Sequence, residues 1–373
     1  VNIVDVVLVV AGLLLLIAGG EALVRGASTL AVKAGLPPLV IGLVVVSAAT
    51  SAPEFAVTVG AVLEGKSGLA VGNVVGSNII NILVILGISA IISPLIIKRQ
   101  LVRFDIPVMV GLSLLLVVVS LDGRISVFDG ILLLAGLIFH IIMSILVGRR
   151  TAAKPEYEPS EMPLNSKPVS LWFAALLLSV GIGLLVFGAQ LLVSGAVSIA
   201  TDLGVSNLII GLTVVAIGTS LPELVTALIA LRRGERDMAV GNVVGSNLFN
   251  IGMVLGLPAI IFGEGIPVPA AAIALDLPLM LAAAVALLPI AFTGLIISRW
   301  EGALFVGLYA AYTLYLGLAS TEHDSHQGFT TVTLWFVLPL VALAIIAAAT
   351  QEIRLIHGSK NKTAAKTKGS PES

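Results

Sequence analysis

Runs of about 20 apolar residues recur down almost the whole chain, parted by short clusters of Gly, Pro and charge. That length carries an α-helix across a hydrocarbon core, where only a helix or a closed barrel satisfies its own backbone. The pattern predicts helical spans over 4–24, 38–63, 69–93, 105–121, 126–148, 169–193, 208–231, 238–262, 270–292, 300–319 and 330–349. One long polar stretch, 149–168 (RRTAAKPEYEPSEMPLNSKP), is rich in Pro and charge and reads as a cytoplasmic linker between two halves. Residues 350–373 read as a Lys-rich polar tail. The first run has no basic leader and no small-residue cleavage site, so it reads as a retained span.

Composition removes the soluble alternatives. The chain is 58% hydrophobic and 11% charged, with a mean hydropathy of +1.13, whereas soluble domains carry about a quarter charged residues. There is no cysteine, which excludes disulfides and thiolate metal sites. A net charge of −1 gives no reason to expect a nucleic-acid partner. The charge distribution is more telling. If sides alternate across eleven spans, eighteen of the twenty Lys and Arg fall on one side, and only Lys66 and Arg124 on the other. By the positive-inside rule the rich side is cytoplasmic. The N-terminus is then outside, the tail inside, and the location a cell (inner) membrane with lipid as its constant partner.

One stretch is written twice. Residues 42–87 contain GLVVVSAATSAPEF and GNVVGSNIINILVILG, and residues 211–256 contain GLTVVAIGTSLPEL and GNVVGSNLFNIGMVLG. The offset is 169 residues throughout, and about half the aligned positions are identical. Five spans precede the linker, so the second copy enters the membrane from the opposite side. The expected architecture is an all-α polytopic membrane protein of two inverted five-helix repeats, 1–148 and 169–319, plus one extra C-terminal helix at 330–349.

Each copy places a carboxylate, Glu54 or Glu223, near the middle of a span. A charge there costs about 2.5–3.5 kcal/mol on insertion scales, so it calls for a partner; a protonated, inert Glu is the bland alternative. Pro53 and Pro222 withhold the N–H that would bond the carbonyls of Ala49 and Gly218. They are either simple kinks or the means of freeing those oxygens. Thr50 and Ser51, with their counterparts Thr219 and Ser220, share the helical face of the Glu. Ser77 and Asn81, with Ser246 and Asn250, form i,i+4 pairs one span later. Gly72, Gly76, Gly241 and Gly245 permit close helix approach, and Asn73, Asn78, Asn242 and Asn247 read as structural amides. Carboxylate, carbonyl, hydroxyl and amide oxygens without His or thiol suit hard cations. Elsewhere, Glu21 reads as an interfacial partner of Arg25, Asp105, Asp129 and Asp276 as inexpensive charges near span ends, and His140 as no ligand. No nucleophile–base pair marks an enzyme.

The pair TS-x-PE and GNVVGSN-x-x-N, duplicated and inverted, resembles the α-repeats of the cation/calcium exchanger superfamily. It is most similar to the prokaryotic sodium/calcium antiporter branch, whose members resemble potassium-dependent exchangers. The resemblance spans residues 1 to about 319. It implies that Thr50, Ser51, Glu54, Ser77 and Asn81, with Thr219, Ser220, Glu223, Ser246 and Asn250, are ion ligands. It further implies Ca²⁺ between the two Glu, flanking Na⁺ sites, and sliding of the first span of each half past a fixed core. No cofactor is implied beyond the transported ions, with H⁺ or K⁺ as further candidate coupling ions, and a monomer suffices. Two positions depart from the pattern: Ala49 replaces a Gly, and Asn250 stands where well-described members carry Asp. The second departure keeps Ca²⁺/H⁺ exchange as the alternative, and a cation channel stands behind both.

Overall fold

The computed structural model describes residues 2–152, 170–204, 216–292 and 295–320. Helix α1 (Ile3–Ala34) starts where Asn2 accepts from the Val4 amide, and ends where Gly35 takes φ 61° ahead of two prolines. Next come α2 (Pro38–Thr50) and α3 (Ala52–Leu63), bent 41° apart at Ser51. After a turn through Gly65 follow α4 (Ser67–Ile92), strand β1 (Leu95–Ile96), α5 (Leu101–Val119), β2 (Arg124–Ile125) and α6 (Val127–Ala152). The same order recurs in the other half. It runs α7 (Leu171–Asp202), the broken pair α8 (Ala216–Thr219) and α9 (Leu221–Arg232), α10 (Arg236–Ile261) and β3 (Ile266–Pro267). Then α11 opens with a wide turn over Ala272–Asp276 and continues through Leu277–Phe292, before β4 (Ile296–Ile297) and α12 (Arg299–Ser320).

The expected all-helical membrane fold is what the chain adopts. Among the described residues, seven helices are long and apolar enough to span a bilayer, or eight with the bent α2–α3 pair taken as one. The expected span at 208–231 begins in residues outside the described set, and those at 330–349 and the tail lie wholly outside it. Two boundaries differ from the apolar pattern. The first helix of each half is 32 residues long rather than about two dozen. At about 1.5 Å per residue that is roughly 48 Å, well beyond a core of about 30 Å. Apolarity marks where lipid ends; the helix ends only at a stop signal, here Gly35 and the turn at Gly204.

Those two long helices lie antiparallel with backbones touching. Gly12, Gly19 and Gly26 of α1 face α7, and Gly181, Gly188 and Gly195 of α7 face α1, each set spaced by seven residues. A Cβ at Gly12 would sit 2.7 Å from the Gly188 carbonyl oxygen, and one at Gly195 2.6 Å from that of Asp5. Only glycine fits such an approach.

The halves are also cross-linked at their rims. β1 pairs antiparallel with β4, and β2 with β3, so each short ladder takes one strand from each half. At the centre stand α4 and α10, whose most apolar windows are 78% buried, against 22–39% for the other spans. α2 lies directly on α10: a Cβ at Gly241 would meet the Leu39 carbonyl at 2.7 Å, and one at Gly245 that of Leu43 at 2.4 Å. Gly241 and Gly245 of the GNVVG run are therefore the packing surface their spacing suggested, whereas a Cβ at Gly72 or Gly76 of the first copy would meet nothing within 4 Å among the described residues.

Candidate functional site

The two breaks in helical bonding point inward at the two central helices. At Ser51 the backbone leaves helical geometry (φ −78°, ψ 1°), and at Ser220 it does so again (φ −92°, ψ 9°). Pro53 and Pro222 follow within the first helical turn, where a missing N–H costs nothing. Glu54 and Glu223 thereby fall in the first turns of α3 and α9, at the positive ends of those helices. Thr50 and Thr219 close the preceding segments, whose negative ends face the same break. Asn81 and Asn250 each open a wide π turn in α4 and α10, a distortion that recurs at functional positions.

Of the ten sequence-expected residues, nine are buried: Thr50, Ser51, Glu54, Ser77, Asn81, Ser220, Glu223, Ser246 and Asn250. Thr219 is half-buried. Contacts cross between the halves. Thr50 Oγ1 donates to Asn242 Oδ1 at 3.2 Å and lies 3.3 Å from Ser246 Oγ. Ser220 neighbours the Glu54 carboxyl, and Thr50 and Ser246 neighbour that of Glu223, without closing into hydrogen bonds. Glu54 also feels the charge of Glu223. Asn81 and Asn250 are attached through Asn247 and Asn78, and Ser77 lies one turn before Asn81 on α4. Asn73 of α4 donates to the Glu54 carbonyl at 3.1 Å and to Thr58 Oγ1 at 3.0 Å, fixing α3 on α4.

What is left unpaired defines the chemistry. Both carboxylate oxygens of Glu54 and of Glu223, the hydroxyls of Ser51 and Ser220, and the Oδ1 atoms of Asn81 and Asn250 are all buried with no protein partner. An unpaired buried polar atom is costly, yet these oxygens cluster, and they match residue for residue between the copies. No group of three or more Asp, Glu or His occurs among the described residues; two carboxylates are supplemented by neutral oxygens. Such a set offers carboxyl, hydroxyl and amide oxygens, the ligand types that suit a hard cation, and carboxyls that can also take a proton.

Sequence reasoning misplaced one group and missed several. Asp105 is not a span-end charge at an interface. It is fully buried, with His140 Nε2 2.9 Å from Oδ1 and Ser144 Oγ donating to the same atom at 3.2 Å. Burial without a partner would be prohibitive, and the partner comes from a helix 35 residues on, beyond any local spacing rule. Asp276, by contrast, is half-buried and accepts from Tyr312 at 2.8 Å. Glu21 pairs with Arg25 as expected, at 3.2 Å, and also with Arg233 across the halves. Met109 and Met280 also border the site with no mark in the sequence, and Asn242, read there as a structural amide, accepts from Thr50.

The sequence model of the family described as "Sodium/calcium exchanger protein" matches residues 4–146 and 173–318. The chain is 37% identical over 319 residues to the "Putative antiporter CaxA" of Alkalimonas amylolytica, covering 84% of this chain and 99% of that protein. It is 31% identical over 348 residues to the "Sodium/calcium exchanger MaX1" of Methanosarcina acetivorans, covering 84% and 98%. A solved structure of the sodium-calcium exchanger NCX_Mj, soaked with zero Na⁺ and Ca²⁺, superposes with a TM-score of 0.71 at 33% identity. It covers 83% of this chain and 98% of that one.

Proposed function

The chain belongs to the sodium/calcium exchanger family, as a cation-exchanging antiporter and not an enzyme, and from that premise we propose that it exchanges Ca²⁺ for Na⁺ by alternating access. Ca²⁺ is held between Glu54 and Glu223 near the bilayer midplane, and Na⁺ competes for the same oxygen set. The observation that carries this reading is the pair of fully buried carboxylates whose four oxygens all lack a protein partner. Two ionised carboxylates neutralise one Ca²⁺, and serine hydroxyls and amide oxygens bring the ligand number toward the six to eight it takes. Thr50, Ser77, Thr219 and Ser246 complete the proposed ligand set.

Cytoplasmic placement of the Lys- and Arg-rich side puts the N-terminus outside and the C-terminus inside a cell membrane. Residues 1–148 and 169–319 act as two inverted repeats, with 149–168 joining them.

A second reading, Ca²⁺/H⁺ exchange, is favoured by one observation. Asn250 supplies a neutral amide, already donating to Asn78 at 3.0 Å, where a third carboxylate would give Na⁺ an extra charge. Reconstituted vesicles separate the two. Ca²⁺ flux should follow an imposed Na⁺ gradient at fixed pH, and Glu54→Gln or Glu223→Gln should abolish it while the protein remains folded. Flux that ignores Na⁺ and follows pH selects proton coupling, and normal flux in both variants removes the site.

A further inference from the structure

Asn81 and Asn250 can offer a cation an oxygen only if each amide is turned one way, because the NH₂ end in the same place repels it. The two ends of an amide have nearly the same shape, so packing alone does not choose between them. In the structure the choice is made by bonds that cross between the halves. Asn81 Nδ2 donates to Asn247 Oδ1 at 3.2 Å, and Asn250 Nδ2 donates to Asn78 Oδ1 at 3.0 Å. The Oδ1 atoms of Asn81 and Asn250 are left buried and unpartnered.

The same question then passes one residue outward. Asn247 Nδ2 donates to Met109 Sδ at 3.5 Å, and Asn78 Nδ2 to Met280 Sδ at 3.6 Å and to the Asn247 carbonyl at 3.3 Å. A thioether or a carbonyl accepts and never donates. The nitrogen ends of Asn247 and Asn78 must therefore face outward, and their oxygens inward. We infer that Asn247 and Asn78 are positioning residues that aim the Asn81 and Asn250 oxygens at the transported cation, with Met109 and Met280 setting the sense of each line. The inference rests on the exchange reading above and adds to it the residues that orient two of its ligands. The two lines are not equally secure: Asn78 is held by two acceptors, Asn247 by the Met109 sulfur alone.

That inequality supplies the test. Purified full-length protein carrying Asn247→Leu, Asn247→Asp, Met109→Leu or Met280→Leu is titrated with Ca²⁺ and with Na⁺, and its thermal midpoint is measured without either ion. Loss of a single oriented ligand should weaken cation binding about tenfold in Asn247→Leu, and about threefold in Met109→Leu. Asn247→Asp keeps an acceptor for Asn81 and should bind at least as tightly as the parent. Met280→Leu should weaken binding less than Met109→Leu, because the Asn247 carbonyl still holds Asn78. A purely structural role would instead lower the midpoint in the Leu and Asp variants of Asn247 alike and leave the binding constants alone. Parent-like constants for both ions in Asn247→Leu and Met109→Leu overturn the inference. Should Asn247→Leu fail to fold, the nearly volume-conserving Met109→Leu decides by itself. Glu54→Gln serves as the control: if it still binds Ca²⁺ normally, the exchange site itself falls. If it does not bind while Asn247→Leu and Met109→Leu bind like the parent, only the positioning claim falls.

Discussion

The two halves of the molecule are near copies at the centre and diverge one layer out. At the centre the matched residues share one state: Ser51 with Ser220, Glu54 with Glu223 and Asn81 with Asn250 leave the same oxygens free. Behind them, each half repeats an Asp and a Met four residues apart, Asp105 with Met109 and Asp276 with Met280. Beyond that the copies part. Asp105 is fully buried against His140 and Ser144, with Phe104 stacked on the imidazole at 5.9 Å, whereas Asp276 is half-buried against Tyr312. The inner layer must present a particular arrangement of oxygens, which restricts the choice of side chain. The outer layer needs only a carboxylate with a donor on one of its oxygens, and different donors meet that need.

This contrast can be broken by measurement. The largest effect is expected from His140→Phe, which strands a fully buried carboxylate with one hydroxyl and should cost about 3 kcal/mol of unfolding free energy. His140→Gln, which retains a donor, should recover part of that loss. Tyr312→Phe removes one bond from a carboxylate already half in contact with its surroundings, and about 1 kcal/mol is expected. Equal losses at the two aspartates, by denaturant titration in detergent, would mean the halves are energetically alike after all.

The smallest effect concerns the turns ahead of α4 and α10, where Lys66 and Glu235 occupy equivalent places. Lys66 is exposed and paired with Glu64 at 2.7 Å. Glu235 is partly buried, near Ser28; burial first, and the charge of Asp237 second, push its carboxyl above the ordinary range. The folded state therefore favours the protonated form. The penalty for ionising it is absent below an unfolded carboxyl's value of about 4.3 and grows as pH rises through the folded value. Glu235→Gln should raise the thermal midpoint slightly at pH 7.5 and leave it unchanged at pH 4, while Lys66→Gln does neither. A pH-independent response at Glu235 would contradict its burial.

Much of this was legible in the chain. A duplicated Glu beside Pro in a lipid-length run can hardly be anything but a polar site, and nine of the ten residues read from the motif are buried. What could not be read depends on contacts between distant segments. The Asp105–His140 pair joins two helices with no shared spacing, and the Asn–Met lines exist only because α4 and α10 meet across the halves. Wide turns at Asn81 and Asn250 leave no mark on an all-apolar pattern. The long ends of α1 and α7 escaped because hydropathy measures exposure to lipid, whereas a helix continues through GASTLAVKA until a glycine stops it.

The glycine contacts between α1 and α7 have a mechanical corollary. Backbone meets backbone at every second helical turn, so sliding one helix along the other by a single residue would drive leucine side chains into a peptide plane. The two rods have one permitted alignment and must travel as a single plank. Since each comes from a different half, any displacement of one rod along the membrane normal carries the other half's first helix with it.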